Sequence, residues 1–578
     1  MTTPATSLNR RGLLGLFGAG AAVGGCATGA MGEGTSVSFA HGVASGDPGV
    51  DRVILWTRVT PGAGFTGPLS VIWRVLEGQG ERVVASGRFE TGPERDYTVK
   101  IDATGLRPGS DYRYDFAVGE TRSPTGRTRT LAAEGVAPVN LAVVSCQLYP
   151  GGLFNVYEAI AALSALDAVV HLGDYIYEYG AEPDAYGMAT GAALNRVPEP
   201  RHEIVTLADY RTRHAQYKTD ADLQAAHARA PFICVWDDHE TANDAWLHGA
   251  ENHQAESEGG YAERKAAALK AYYEWMPIRE AAPGALKEAI YRSFHFGDVA
   301  SLMMVETRLT GRTEPLSYDK DLHVTTGPDG RPAPDVAAFR TKLEDPSRDL
   351  MGAEQREWLK RELTASRAAG RPWQVLGNQV VTARVAGPDV SRMMTPEQIE
   401  ALMARVPEAF REQFQQALIL FKMGLPFNLD AWDGYPAGRE RLYAAFAEAG
   451  VQPILLAGDS HAFWVNELKD ASGARRAVEF GTSAVSSPSI GDALGGFPLG
   501  AALMQANDEV VFCDQSAKGF ILLTLGAQTA EARLVQVSSI LAKPFEVEVT
   551  KRFRLDLNGG LTPWGEASEA AGRSGPLS

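Results

Sequence analysis

Residues 140–177 read NLAVVSCQLYPGGLFNVYEAIAALSALDAVVHLGDYIY, and this stretch decides the fold class. Asn140–Ser145 is a short β-rich apolar run. Leu153–Leu166 then places Leu153, Val156, Tyr157, Ile160 and Leu163 on one face, the spacing of an amphipathic helix. Ala168–Leu172 is a second apolar run, and it stops at Gly173-Asp174. Strand, helix and strand in that order form a βαβ unit, so the expectation is an α/β domain. Polar groups just past its strand ends lie on the edge where open α/β sheets bind ligands.

Further strand candidates end the same way: Phe232–Trp236 into Asp237, Gln374–Leu376 into Gly377-Asn378, and Pro453–Leu456 into Ala457-Gly458-Asp459. Helices are expected at Glu263–Met276, Glu354–Leu363 and Arg439–Ala449, with Pro396–Lys422 as one long helical insertion. Toward the N-terminus, Ser36–Ala132 reads as all-β, with short apolar or alternating runs cut by Gly, Pro and Asp turns. Trp73 lies in a strand-like segment, and Leu106–Tyr112 looks like a sandwich corner carrying a tyrosine. That pairing resembles a fibronectin or immunoglobulin-like sandwich. The expected organisation is residues 1–35 as export signal and linker, 36–132 as β-sandwich, 138–555 as α/β domain and 556–578 as tail.

The chain of 578 residues carries a formal net charge of -16, which argues against a broad nucleic-acid-binding face. A phosphate substrate stays compatible with that charge, because bound cations invert the potential inside a carboxylate-rich site. Arg10-Arg11 followed by an apolar, Gly/Ala-rich run has the form of a Tat signal, which predicts a periplasmic or secreted protein exported by the Tat machinery. The run is short for a membrane span, so no transmembrane span is expected in the mature form. Val23-Gly24-Gly25-Cys26 resembles a lipoprotein cleavage box, which would leave a lipid anchor on Cys26. Of the other cysteines, Cys234 and Cys513 sit in apolar runs and read as core thiols, whereas Cys146 ends a strand.

Four strand ends deliver metal-competent groups: Ser145-Cys146, Gly173–Tyr177, Trp236–Glu240 and Gly458–His461. Carboxylates bridge cations, phenolate and thiolate suit a trivalent ion, and imidazole completes a shell. One Asp after a strand is ordinarily a turn or cap residue. Asp237-Asp238-His239-Glu240 says more, since three acids around a histidine repel one another unless a cation or hydrogen bonds compensate. Four such ends in one α/β domain point to a clustered metal centre, which generates hydroxide near neutral pH and neutralises charge on phosphoryl oxygens.

In this light the chain resembles the alkaline phosphatase D (PhoD-like) family of metallophosphoesterases. The resemblance rests on Phe39–Pro48, Val53–Arg58, Ser145-Cys146-Gln147, Gly173–Tyr177, Trp236–Glu240, Gly377-Asn378-Gln379, Trp432–Pro436 and Gly458–His461, in the family's order. It implies a four-layer αββα sandwich with an iron(III) and calcium centre that hydrolyses phosphomonoesters or phosphodiesters. Asp174 would then bridge metals, while Tyr177, Cys146 and His461 would bind iron and Asp459 would face calcium. Asp238, directly before His239, aligns best with the family's metal-binding residue, with Asp237 as the alternative register, and His239 would stabilise the transition state or protonate the leaving group. Asn243 and Asn378 are candidate calcium or phosphate contacts. Glu306 stands where the family pattern would have Asp, and Arg308 is a candidate second-shell or substrate group.

His171, inside an apolar strand, reads as a core residue, and His41 belongs to the β domain. Three-residue spacing from Asp174 favours Tyr177 over its neighbours Tyr175 and Tyr179. Substrates on this reading are small phosphate esters, phospholipids or envelope polymers, and the resembling family includes phospholipase D-type activity. Rival readings are a non-catalytic binder of envelope polymers on the same fold, and a thiol enzyme using Cys146. The latter needs a base within hydrogen-bond reach, and no neighbour in sequence supplies one.

Overall fold

The computed structural model describes residues 36–326, 330–406, 408–494, 496–557 and 559–563. Arg10, Arg11, Cys26 and the segment from Gly565 onward, on which the export, lipidation and tail expectations rest, lie outside these residues.

Two large sheets form the centre. In one, Val139–Val144, Ala168–His171 and Phe232–Cys234 run parallel side by side, as the βαβ pattern predicts. The antiparallel strands Lys518–Leu525, Thr529–Val537, Val547–Asp556 and Leu561–Pro563 extend it from Val139–Val144, so the sheet continues past residue 555. The other sheet has seven strands, among them Ala300–Met304, Trp373–Gly377 and Ile454–Ala457, again parallel.

Period-two alternation assigns the layers. Leu302, Val375, Ile454 and Leu456 join Val143, Val170 and Ile521 in the core between the two sheets. Their neighbours Met303, Leu376, Leu455 and Ala457 face the opposite way. There they pack on Leu359 and Leu363 of the helix Gly352–Ala368 and on Leu442 and Phe446 of the helix Pro436–Ala449. Across the other sheet, the helix Asn155–Ala161 covers Lys518–Leu525 and Thr529–Val537 and packs on the helix Ala221–Arg229. Helix, sheet, sheet and helix stack in four layers.

The N-terminal region is β-rich and has its own core. A five-stranded sheet containing Leu69–Glu77 and Asp111–Val118 packs on Val43–Gly46, Arg52–Arg58 and Thr98–Thr104, with Val71, Val75, Tyr114 and Phe116 meeting Val53, Leu55 and Val99. Tyr112 Oη accepts from Arg107 N at 2.8 Å, which closes the corner read at Leu106–Tyr112. The second layer of this sandwich is not a separate sheet. Gly46 pairs with Phe232, so the three strands continue the central sheet to ten. A Cβ on Gly46 would stand 2.2 Å from Pro277 O and 2.5 Å from Phe232 O, so only glycine permits the join.

Helix limits differ in several places, and the helix expected at Glu354–Leu363 runs over Gly352–Ala368. The first helix is shorter than its apolar stripe, covering only Asn155–Ala161. The insertion is two helices, Pro396–Arg405 and Glu408–Phe421, rather than one. Val406 between them has ψ 127, the extended backbone that a following proline imposes, and Pro407 follows it.

Candidate metal centre

The groups at the carboxyl edge are aimed by strained turns. Among the described residues, nine non-glycine residues have φ in the left-handed region, and four of them are Cys146, Asp174, Asp459 and His461. Each costs on the order of 1–3 kcal/mol, and such strain concentrates at functional sites. Gly173 is required there as well. Its φ is +113, and a Cβ would lie 2.4 Å from both Cβ and N of Asp237. Two strand-end loops therefore touch where that side chain is missing.

Ligand-type atoms of Cys146, Asp174 and His461 all lie within 4.8 Å of one another. The same limit holds for Asp174, Asp238 and His239, and for Asp237, Asp238 and Asp459. Asp174 and Asp238 each belong to two of these groups, so the three form one continuous cluster. Tyr177 Oη donates to Asp174 Oδ2 at 2.9 Å and lies 3.4 Å from His461 Nε2. Tyr175 Oη turns away to His227 and Lys218, and Tyr179 stacks edge-on to His239. Both Asp237 and Asp238 offer a carboxylate oxygen to the cluster.

His461 donates its Nδ1 proton to Pro488 O at 2.7 Å, since a carbonyl can only accept. Nε2 then carries the lone pair toward Tyr177 and the cluster, the second-shell arrangement that orients a metal-binding imidazole. Tyr186 Oη reinforces this edge, donating to Pro488 O at 2.5 Å.

Burial, and then surrounding carboxylates, push the Asp459 carboxyl well above its usual range, and burial does the same for Asp174. The Cys146 thiol and Tyr177 phenol rise for the same two reasons. A cation reverses this balance. Asp174 Oδ1, Asp237 Oδ2 and Asp238 Oδ1 are buried with no hydrogen-bond partner, although native interiors almost always satisfy such atoms. These residues therefore fit metal ions. Thiol, imidazole and phenol gather at one end, suited to a transition metal, and carboxylates alone at the other, suited to a hard cation.

Several participants escape sequence reasoning. Glu178 is buried, and its Oε2 accepts from His239 Nδ1 at 2.7 Å. Its Oε1 accepts from Asn243 N at 2.8 Å and Asn252 Nδ2 at 2.9 Å. Burial disfavours the His239 cation, but the carboxylates of Asp238, Glu178 and Asp174 outweigh it and raise the imidazole well above its ordinary range. The only signal in the sequence is that Glu178 follows Tyr177 directly. Glu240 is no ligand in this geometry. Its carboxylate accepts from Asp174 N at 3.1 Å, Tyr175 N at 2.6 Å and Asp237 N at 2.8 Å, clamping two loops together.

Arg308 is fully buried, binds Asp237, and lies 2.7 Å from Asp430, 3.4 Å from Asp238 and 3.8 Å from Asp459. It offsets part of the charge of the carboxylate end. Glu306 instead ties down its own turn, accepting from Arg308 N at 2.8 Å, Leu309 N at 2.6 Å and Thr310 N at 2.8 Å. The two asparagines spend their amide nitrogens within neighbouring loops. Asn243 Nδ2 reaches Glu251 at 3.2 Å, and Asn378 Nδ2 donates to Val380 O at 2.5 Å.

A four-layer α/β fold whose strand ends converge on such a cluster defines a candidate metallohydrolase. Comparison with known proteins gives the family. Residues 141–534 match the PhoD-like phosphatase family and residues 25–132 its N-terminal domain, and the chain belongs to that family. It is 36% identical over 445 residues to alkaline phosphatase D of Bacillus subtilis (strain 168), an alignment spanning 75% of this chain and 66% of the relative. A solved structure titled "Structure of PhoD" superposes with TM-score 0.73 and 28% identity, covering 93% of this chain and 94% of that one.

Proposed function

We propose that the protein is a metal-dependent phosphoesterase that hydrolyses phosphomonoesters, phosphodiesters or both. The observation that carries this reading is the continuous cluster with three unpartnered, buried carboxylate oxygens. Cys146, Asp174, Tyr177 and His461 would hold iron(III), and Asp237, Asp238 and Asp459 would hold calcium, with Asp174 and Asp238 shared. Such ions supply a hydroxide nucleophile at neutral pH and offset charge on the phosphoryl oxygens.

The chain's own residues do the rest. His239, held by Glu178 through Nδ1, keeps a proton at Nε2 for the leaving oxygen. Arg308 fixes the spacing of Asp237, Asp238 and Asp459 from a fully buried position. Glu240 holds the two loops that carry Asp174 and Asp237. Phospholipase D-type activity would use the same centre on a lipid diester. The binder reading loses ground because the set of ionisable groups at the four strand ends is complete, and the thiol-enzyme reading because Cys146 Sγ donates to Ser145 Oγ while His461 and Asp174 share one metal-ligand cluster with it.

We further propose Tat export and a division into residues 36–132 and an α/β domain that starts at 138 and runs past the expected limit of 555 to the strand Leu561–Pro563. No helix among the described residues is long and apolar enough to cross a membrane. Metal analysis of the native protein, with turnover of a monoester and a diester before and after chelation, tests the functional reading. Iron and calcium with chelator-sensitive hydrolysis are expected. Full turnover in a metal-free sample would overturn it.

A further inference from the structure

The parallel strands that carry the metal cluster at their carboxyl ends border a cleft of about 430 Å³ at their amino ends. Val139 and Asn140, Asp167, and Pro231 line it, each at or just before the start of a strand. From Asn140 to Cys146 is six residues, roughly 20 Å at strand rise. The cleft is therefore no part of the catalytic site.

Its walls bring together four guanidinium groups, Arg113, Arg127, Arg129 and Arg229. This convergence is unusual in a chain of net charge -16. Arg127 on the edge strand Gly126–Arg129 stands directly opposite Arg113 in the antiparallel register, a like-charge cross-strand pair that destabilises a sheet. Arg229, at the end of the helix Ala221–Arg229, reaches the same wall.

The acids nearby do not settle these charges. Asp167 binds Arg129 and also accepts from Asn140 N at 2.7 Å, and Asp111 lies 3.6 Å from Arg129. Glu134 stands beside Gly297. Arg113 is tied to Gly78 O at 3.1 Å and Gly80 O at 2.6 Å, with Glu81 at 3.4 Å. Arg229 has only neutral acceptors, Leu163 O at 2.8 Å and Ser164 O at 3.1 Å. Arg127 has neither a hydrogen bond nor an ion pair among the described residues. Burial first, and then the neighbouring Arg127, lower the Arg229 pKa, and the Asp111 and Asp167 carboxylates offset this only in part.

We infer that this cleft is an accessory site for a phosphate-class oxyanion, held by Arg127 and Arg229 between the β-rich region and the α/β domain. Planar guanidinium groups with paired donors match tetrahedral oxyanions. The volume exceeds that of a free ion, so both inorganic phosphate and a phosphate carried on a polymer would fit.

The test is equilibrium dialysis of the metal-loaded full chain against two probes, inorganic phosphate and a hydrolysis-resistant phosphorothioate diester polymer. Arg127→Ser is the decisive variant, since Arg127 supports no other group; Arg229→Ser is secondary because it also frees two carbonyls. Wild type is expected to show a class of binding, distinct from the metal centre, that Arg127→Ser weakens by about tenfold or more. Turnover and metal content should stay as in wild type, which separates this outcome from any failure of the phosphoesterase reading. Loss confined to inorganic phosphate assigns the site to free phosphate, and loss confined to the polymer assigns it to a polymeric ligand. Identical binding of both probes by wild type and Arg127→Ser overturns the inference.

Discussion

The two ends of the same three strands carry charge of opposite sign, and neither is fully compensated. At the carboxyl edge, carboxylates outnumber their partners, the backbone is forced into left-handed turns, and buried oxygens lack donors. At the amino edge, guanidinium groups outnumber acids, in an open cleft flanked by extended backbone. A buried like-charge cluster is far more costly than an exposed one, because low dielectric magnifies both repulsion and desolvation. The carboxyl edge therefore needs cations to be stable as drawn, while the amino edge gains from an anion without requiring it.

That contrast orders the expected effects. Asp174→Asn should be the most severe change, because it removes a member of two of the three groups. Metal content by mass spectrometry should fall together with hydrolysis; unchanged metal and turnover would break the contrast. His239→Ala should lower kcat by about 10²–10⁴-fold while leaving the metals bound, the range for losing a general acid. Loss of metal in that variant would make His239 a ligand rather than a proton donor.

Glu178→Gln should act more mildly and through pH. Burial opposes the His239 cation, and the carboxylates of Asp238, Glu178 and Asp174 stabilise it. Removing one of them lowers the imidazole pKa, so the proton-donating form is lost at lower pH. The alkaline limb of the kcat profile should move toward neutrality, and a profile that stays in place would reduce Glu178 to a packing role. Arg127→Ser, at the opposite edge, should leave hydrolysis unchanged under these same assays.

The fold was legible where physics is local. Apolar runs such as Gln374–Leu376 and Pro453–Leu456 read as strands from the sequence, and period two then sends Val375, Ile454 and Leu456 to one core and Leu376 and Leu455 to the other. The strand-end motifs were legible for a related reason, since a strand stops where polar groups begin. The ten-stranded continuity was not, because it hangs on one pairing between Gly46 and Phe232, 186 positions apart. The sequence does not single out Glu178 and groups Glu240 with the metal-competent residues, because an acid in sequence does not declare whether it will face a cluster or a backbone amide. Nor does the sequence show that Asn243 and Asn378 spend their amides within neighbouring loops.

The central claim is that Cys146, Asp174, Tyr177 and His461 hold a metal, with the Tyr177 phenol as one ligand. The visible absorption spectrum of the native protein tests it most directly. A phenolate bound to iron(III) gives a ligand-to-metal charge-transfer band, which Tyr177→Phe should bleach or shift. Tyr175→Phe and Tyr179→Phe should preserve it, since Tyr175 Oη contacts His227 and Lys218, and Tyr179 meets Tyr177, Tyr186 and His239 through its ring, which Phe retains. A band that survives in Tyr177→Phe, or a colourless protein that is fully active in chelator, would contradict the account.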